Sequence, residues 1–536
     1  MMTTAETSGN SAEARVLRSY LGGKWQAGAG RGTALVNPTD GSTLAWASSA
    51  GLDLGAGLDH ARRVGGPSLR KLGYAQRAEL LGKIADLLTA QRERWYEIAR
   101  RNSGNTKADA TIDIEGSIGT LKYFSRLGAK LGDARMLADG AAMRLARDPN
   151  FQGLHAGVPL QGAAVHINAF NFPAWGLWEK AAVSLLAGVP VLSKPATATA
   201  WLAEEMVLAV IEAGILPEGS LSLLCGSPAR LLDHLQLGDV VAFTGSAATG
   251  DTIRIHPRIQ KHGVRVNIEA DSLNAALLGP DSGPGTPGFD FFVREVVKEM
   301  TTKTGQKCTA IRRILVPSGH AGAVTEAIAA ALAKVVVGDP ANATVSMGPV
   351  VTATQQKLVE EGVQALTRQA QIAHRPAHFS PVDASAESGA FVPPTLLRIA
   401  DSSGSEMVHE LEIFGPVATV VPYRDNQDAF ALARRGGGSL TASVFSADTA
   451  YLAEAAAALG TTHGRLLLVD PSIGDSHTGH GIVLPSCMHG GPGRAGGGEE
   501  LAGLHGLWFY HQRVALQGSG ATLAAIAATA AIPSAA

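Results

Sequence analysis

Cysteine is scarce in this chain: Cys225, Cys308 and Cys487 are the only three thiols in 536 residues. That is too few for a disulfide framework, and their spacing matches no zinc motif, so a reducing, cytoplasmic setting and no bound metal are expected. Charge of either sign is also in short supply. With 45 basic against 47 acidic residues, and 17% charged in all, no surface is prepared for nucleic acid or an anionic membrane. Long apolar runs are missing as well. Residues 1–13 are polar with no signal core, and the Ala-rich tail from 518 to 536 is too short and too weakly apolar to span a bilayer. It reads as a docked helix or a loose end. What is plentiful is apolar side chain, 46% of residues, enough for large cores and, at this length, more than one domain.

The apolar residues are ordered by period. Residues 17–50 alternate short apolar runs with Gly, Pro and Asp, as opening strands and turns do. Leu80, Leu81, Ile84, Leu87, Leu88, Trp95 and Ile98 recur at helical spacing and predict one amphipathic helix over 75–101, with another over 108–127. From 150 onward, strand-like runs (162–167, 189–193, 221–224, 240–244) alternate with helical segments (174–186, 199–213, 247–255). Such alternation predicts right-handed βαβ crossovers and a parallel, doubly wound sheet. A second α/β series begins near 285, with a helix over 289–300 and further runs at 311–316, 324–335 and 352–371. Residues 376–391 read as a surface insertion.

Residues able to do chemistry stand at the junctions of these runs. Cys308 follows Gly305-Gln306-Lys307, between a helix and a run of β-formers. A thiol there is either a small buried hydrophobe or a nucleophile that needs help to ionise, since a free thiol titrates at pH ~8.5. The stretch 241–250 is a strand, a Gly245-Ser246 turn and a helix start, either an ordinary junction or one whose unpaired N–H groups face a phosphate. Lys194 ends a buried strand and points to solvent or into a nucleotide crevice. Asn171 precedes a proline-opened helix, as oxyanion donor or helix cap. Glu269 ends an apolar strand pattern, as a tuned base or half of a buried pair. His477, His480 and His489 have no acidic partner within their run and read as a polar loop. Residues 491–496 have the G-x-G-x-x-G form but lie outside any βαβ unit, so they are set aside as a dinucleotide fingerprint.

Together, Asn171-Phe172-Pro173, Lys194-Pro195-Ala196, Phe243-Thr244-Gly245-Ser246, Glu269, Gly305-Gln306-Lys307-Cys308-Thr309 and Glu412-Ile413-Phe414-Gly415-Pro416-Val417 stand in the order and approximate spacing of the aldehyde dehydrogenase superfamily. Gly490-Gly491, Glu500-Leu501 and Gly506-Leu507 look like its closing segment. The chain resembles that family from about 15 to 513. The resemblance implies an α/β protein with a Rossmann-like doubly wound cofactor domain (1–140 and 163–279), an α/β catalytic domain (280–484), a small oligomerisation β-arm (141–162 and 485–515) and a tail (516–536). It implies Cys308 as nucleophile, Asn171 as oxyanion donor, Glu269 as general base, and Lys180 with Glu500 as a proton path. Lys194, Thr197, Gly245 and Ser246 would bind the cofactor, and Glu412 and Phe414 the nicotinamide ribose.

Two departures stand out against that family. Asp271-Ser272 occupy the place of a usual Gly-Gly. Thr197 stands where many NAD-using members carry a glutamate for the adenosine ribose, so NADP is expected as the preferred cofactor, with NAD as the alternative. A narrower resemblance, through 167–180, 267–274 and 488–500, is to a subgroup acting on CoA-linked semialdehydes in aromatic-compound degradation. It implies such a small-molecule substrate, with 474–498 either at the substrate mouth, where Arg494 would meet a phosphate, or packed at a subunit interface. A general aldehyde dehydrogenase on free medium-chain or aromatic aldehydes, or a CoA-acylating enzyme, stays open. The expected assembly is a homodimer or a dimer-based oligomer.

Overall fold

The computed structural model describes residues 15–228, 230–402 and 405–531. The polar leader 1–13 and the last residues of the tail, 532–536, lie outside the described residues. Five short strands, Arg265–Glu269, Val240–Thr244, Ala164–Ile167, Val191–Lys194 and Leu221–Leu223, pair side by side in parallel. A hairpin of Ser19–Leu21 and Lys24–Gln26 joins the far edge antiparallel. Every residue of Val191–Lys194 and Leu221–Leu223 is buried, as in strands covered on both faces. The chain lays down Ala164–Ile167 first, works outward to Leu221–Leu223, then returns to the other flank of the first strand with Val240–Thr244. Strand order therefore reverses between Ala164–Ile167 and Val240–Thr244. The crevice beyond their carboxyl ends is where such a sheet takes ligands.

A second seven-stranded sheet runs Gln371–His374, Thr395–Arg398, Val417–Tyr423, Arg313–Pro317, Ala275–Leu278, Ser439–Phe445, His463–Val469, parallel except at its first edge. Phe292, Val296 and Met300 of helix Pro287–Thr301 pack on one face, and Phe430 and Tyr451 on the other. A third sheet has the order His511–Ser519, Phe151–Pro159, Met136–Arg144, Ala530–Ala531. The Ala-rich tail supplies that last strand and a docked helix, Gly520–Ala527, through buried Leu523. Among the described residues no helix is long and apolar enough to cross a membrane.

Two helices differ from their sequence pattern. The period over 75–101 is carried by Tyr74–Ala90 and Arg92–Ser103, with Gln91 at φ −112° and ψ 18° between them. Both helices face one core, so the apolar period runs on across the break. The run at 352–371 is helical only as Ala353–Leu366, and Gln371–His374 becomes the antiparallel edge strand beside Thr395–Arg398.

Candidate active site

Helix Pro287–Thr301 delivers the chain to a tight turn, Thr302–Gly305, where Lys303 (φ 50°), Thr304 (φ 55°) and Gly305 (φ 66°) take left-handed backbone. Such conformations cost non-glycine residues on the order of 1–3 kcal/mol each and persist only where surroundings enforce them. Here they are enforced. Lys303 N–H donates to Asp109 (2.7 Å), Thr304 Oγ1 to the Gly348 carbonyl (2.9 Å), and Val351 N–H to the Gln306 side chain (3.0 Å). Arg312 donates to the Gly415 and Gly305 carbonyls (2.7 and 2.8 Å). A Cβ on Gly305 would collide with the Gly415 carbonyl. Just beyond, Asn274 Nδ2 donates to the carbonyls of Cys308 (2.7 Å) and Ala310 (3.0 Å). The loop that carries the thiol is therefore rigid. Cys308 keeps some exposed surface because two cavities meet at it. Burial raises its thiol well above the ordinary value, and the nearby Glu269 charge raises it further.

The larger cavity, about 610 Å³, occupies the crevice at the strand-order reversal, and Lys194, Thr197, Gly245, Ser246, Glu412 and Phe414 all line it. Its chemistry fits a dinucleotide. Lys194 is buried with no ion pair among the described residues, and burial lowers its ammonium to about 8, so it lacks an anion. Gly245 lies against the Phe243 ring, where a Cβ would not fit, at the start of helix Ala247–Arg254, which Ser246 caps. Thr197 Oγ1 donates to the Gly226 carbonyl (3.2 Å), so no carboxylate is offered from this position. Glu412 accepts from Ser272 N–H (3.1 Å) and lies 3.7 Å from Arg312; burial, with Asp271 adding to it, raises its carboxyl to about 7. Phe414 stands edge-on to Phe170 at 5.6 Å. The two residues that replace Gly-Gly have local partners. Asp271 accepts from Ala247 N–H (3.1 Å), and Ser272 donates to Asn274 (2.6 Å) while accepting from Leu440 N–H (2.9 Å).

The second cavity is narrow, about 70 Å³, and apolar: Ile112, Phe172, Trp175, Ile482 and Val483 lead to Cys308. Asn171 lines the first cavity, is buried, and has no hydrogen-bond partner among the described residues. It is not the helix cap. That position is Phe172, and Asp113 takes the free N–H groups of Trp175 (2.7 Å) and Ala174 (3.4 Å).

Glu269 ends strand Arg265–Glu269 with its side chain buried. Thr244, opposite it on the neighbouring strand, donates to Oε2 (3.3 Å), and His489 Nε2 lies 3.1 Å from Oε1. Reactive atoms of Cys308, Glu269 and His489 all lie within 4.8 Å of one another. Burial works to raise the Glu269 carboxyl, but His489 and Lys180 outweigh it and hold it below the usual carboxylate range. Behind it, Lys180 pairs with Glu179 and with Glu500 (3.4 Å), whose other oxygen accepts from Asn267 Nδ2 (2.8 Å). Burial opposes the Lys180 charge, yet Glu179 and Glu500 raise it. Burial and then Glu500 push Glu179 well above the carboxylate range. Two carboxylates, one ammonium and a cavity of about 20 Å³, room for a single water, make a proton-holding cluster.

Sequence reasoning missed Glu179 and His489. Only the end of the stretch read as a polar loop differs: 477–487 is turn and irregular chain, while His489 lies in a hairpin, Met488–Gly491 against Gly498–Leu501, directly opposite Glu500. His480 is buried as well, bonded to Ser443 Oγ (3.0 Å). The signal was the density of glycine. Gly496 and Gly498 lie on the Ile268 carbonyl, where any Cβ would collide, so the hairpin packs directly on the Glu269 strand. Arg494 does not stand at the apolar cavity. It lines the larger one, 3.9 Å from Asp271, because that same hairpin turns it toward the Glu412 loop. Of residues 474–498, only Gly481, Ile482 and Val483 line the apolar cavity.

Residues 25–481 match the aldehyde dehydrogenase family. The chain is 51% identical over 477 residues to the 3,4-dehydroadipyl-CoA semialdehyde dehydrogenase of Aromatoleum evansii, covering 89% of this chain and 93% of that one. It is 27% identical to the geranial dehydrogenase of Castellaniella defragrans, over 80% of this chain and 86% of the other. Among solved structures, PnpE in complex with nicotinamide adenine dinucleotide superposes with a TM-score of 0.81 at 23% identity, covering 94% and 97% of the two chains. The betaine aldehyde dehydrogenase of Staphylococcus aureus in complex with NAD+ gives 0.79 at 22% identity, covering 94% and 95%. At these identities the superpositions speak for the fold, while the family match and the first relative cover most of the sequence. The chain belongs to the aldehyde dehydrogenase family.

Proposed function

We propose that this aldehyde dehydrogenase oxidises a CoA-linked semialdehyde to the free acid, with 3,4-dehydroadipyl-CoA semialdehyde as the best single substrate and NADP as the preferred cofactor. The observation that carries the chemistry is the meeting of a dinucleotide-sized cavity and a narrow one at the Cys308 thiol. The substrate rests on the relative at 51% identity, which carries that activity in its name.

Glu269 stands ready to take the Cys308 proton, and the thiolate adds to the aldehyde carbon. The Asn171 amide, otherwise unbonded, and the Cys308 backbone N–H meet the oxyanion. Lys194, Gly245, Ser246, Glu412 and Phe414 would hold the nicotinamide cofactor, which would supply the hydride acceptor for this carbon. What remains on Cys308 is a thioester. Once Glu269 has passed on the thiol proton, it deprotonates a water, which adds to the thioester and frees the acid and the Cys308 thiolate. Lys180, Glu179 and Glu500 carry the proton away from Glu269. A CoA-acylating enzyme needs no such base, so the buried, ionised Glu269 favours hydrolysis.

The substrate reading is tested by kcat/KM for the CoA-linked semialdehyde against the free C6 semialdehyde acid. A strong preference for the former is expected; equal values would leave a general aldehyde dehydrogenase. Cofactor choice has its own test. An unpaired Lys194 beside Thr197 would attract a 2′-phosphate that a glutamate would repel, so kcat/KM should favour NADP. Thr197→Glu should move the ratio toward NAD by about tenfold or more, the effect of placing a charge where about 1.4 kcal/mol is at stake. A clear NAD preference in the unmodified protein would refute the assignment. For assembly we infer a dimer-based oligomer in the cytoplasm. Met143, Leu145 and Phe151, exposed together on the third sheet and its turn, support a partner surface there.

A further inference from the structure

We propose that His489 is a positioning residue for the general base, holding the Glu269 carboxylate ionised and aimed at the Cys308 sulfur. The inference rests on Glu269 acting as that base. Three observations carry it. His489 Nε2 and Glu269 Oε1 lie 3.1 Å apart as an ion pair with both side chains 1% exposed, and neither atom has a hydrogen-bond partner elsewhere among the described residues. The imidazole ring is itself fixed, edge-on to Trp175 at 5.4 Å and 71°. The backbone beneath it is fixed too, because the hairpin rests through Gly496 and Gly498 on the carbonyl of Ile268, the residue before Glu269.

The physical need is plain. A buried carboxylate without a counter-group takes up a proton, and a protonated Glu269 cannot serve as a base. The charged and titratable groups that act on it are Lys180 on helix Pro173–Ala187, with Glu179 and Glu500 behind, Cys308 on the turn loop, Arg465 on strand His463–Val469, and His489. Lys180 is already bracketed by two carboxylates. Thr244 holds the second oxygen of Glu269, so His489 is what orients the first. With one oxygen held from each side, the carboxylate has little freedom to turn away from the thiol.

The test uses hydrolysis of p-nitrophenyl acetate, which acylates the thiol, releases nitrophenolate and needs no cofactor. The initial burst reads acylation, and the steady state that follows reads deacylation. In His489→Leu the acid limb of the steady-state rate should move up by about one pH unit or more, a tenfold loss on that limb that is recovered at higher pH. His489→Gln, which keeps an N–H in reach, should hold the limb nearer its original place and covers the case in which the leucine variant fails to fold. Added to Glu269→Gln, His489→Leu should cost nothing further, since the group it serves is gone. A wild-type pH profile in both His489 variants, or an additive loss in the Glu269→Gln background, overturns the role of His489 while the base stands. Wild-type deacylation in Glu269→Gln alone overturns the base assignment, and the His489 role with it.

Discussion

Cys308→Ala is expected to abolish aldehyde oxidation, whereas Cys225→Ala and Cys487→Ala should leave turnover close to that of the unmodified protein. Only Cys308 lies where both cavities meet. Cys225 is fully buried in a core, its thiol raised by burial and so inert. Cys487 is exposed on the surface just ahead of strand Met488–Gly491. Without a nucleophile no thioester forms, so the loss should reach the background of the assay. Steady-state oxidation of any reactive aldehyde measures it. A Cys308→Ala protein that still turns over would dismiss the whole site.

Glu269→Gln should lower the steady-state rate by ~10²–10⁴, the usual contribution of a well-placed base. The first turnover should behave differently. Glutamine cannot take the thiol proton, but it also lacks the charge that adds to burial in raising the Cys308 thiol, so the two changes act in opposite directions. A burst of reduced cofactor should therefore survive while the thioester accumulates, visible by rapid mixing. If steady turnover is unaffected, the base lies elsewhere, and Asp271 is the next carboxylate along the cavity wall.

The motifs that announced the site are short and contiguous, which is why they were legible. Lys194, Ser246 and Glu269 sit at element ends, and Asn171 and Cys308 in short connections, where a period breaks and a turn residue marks the place. The alternation of strand and helix after 150 likewise announced the first sheet. Contacts made across long stretches of chain left no such trace. His489 meets Glu269, and Asp113 meets Trp175, only because separate elements fold together, and no local pattern records it. Glu179 adjoins Lys180, yet one more charged residue on an apolar helix does not declare a cluster. The break at Gln91 was hidden for the opposite reason, since the period on either side serves the same core.

The hairpin of Met488–Gly491 and Gly498–Leu501 is also the part of the site that is synthesised last. A ribosome releases Glu269 and Cys308 long before it has made His489 and Glu500. Until that late segment closes onto the Glu269 strand, the carboxylate has lost its histidine and Lys180 has lost one of its two partners. Every strand of the two large sheets ends by Val469, so the strand that carries the base precedes His489 and Glu500 in the chain. Competence comes last, and a translation product halted before residue 488 would lack Leu501, Leu507 and Tyr510 of the first core as well as His489.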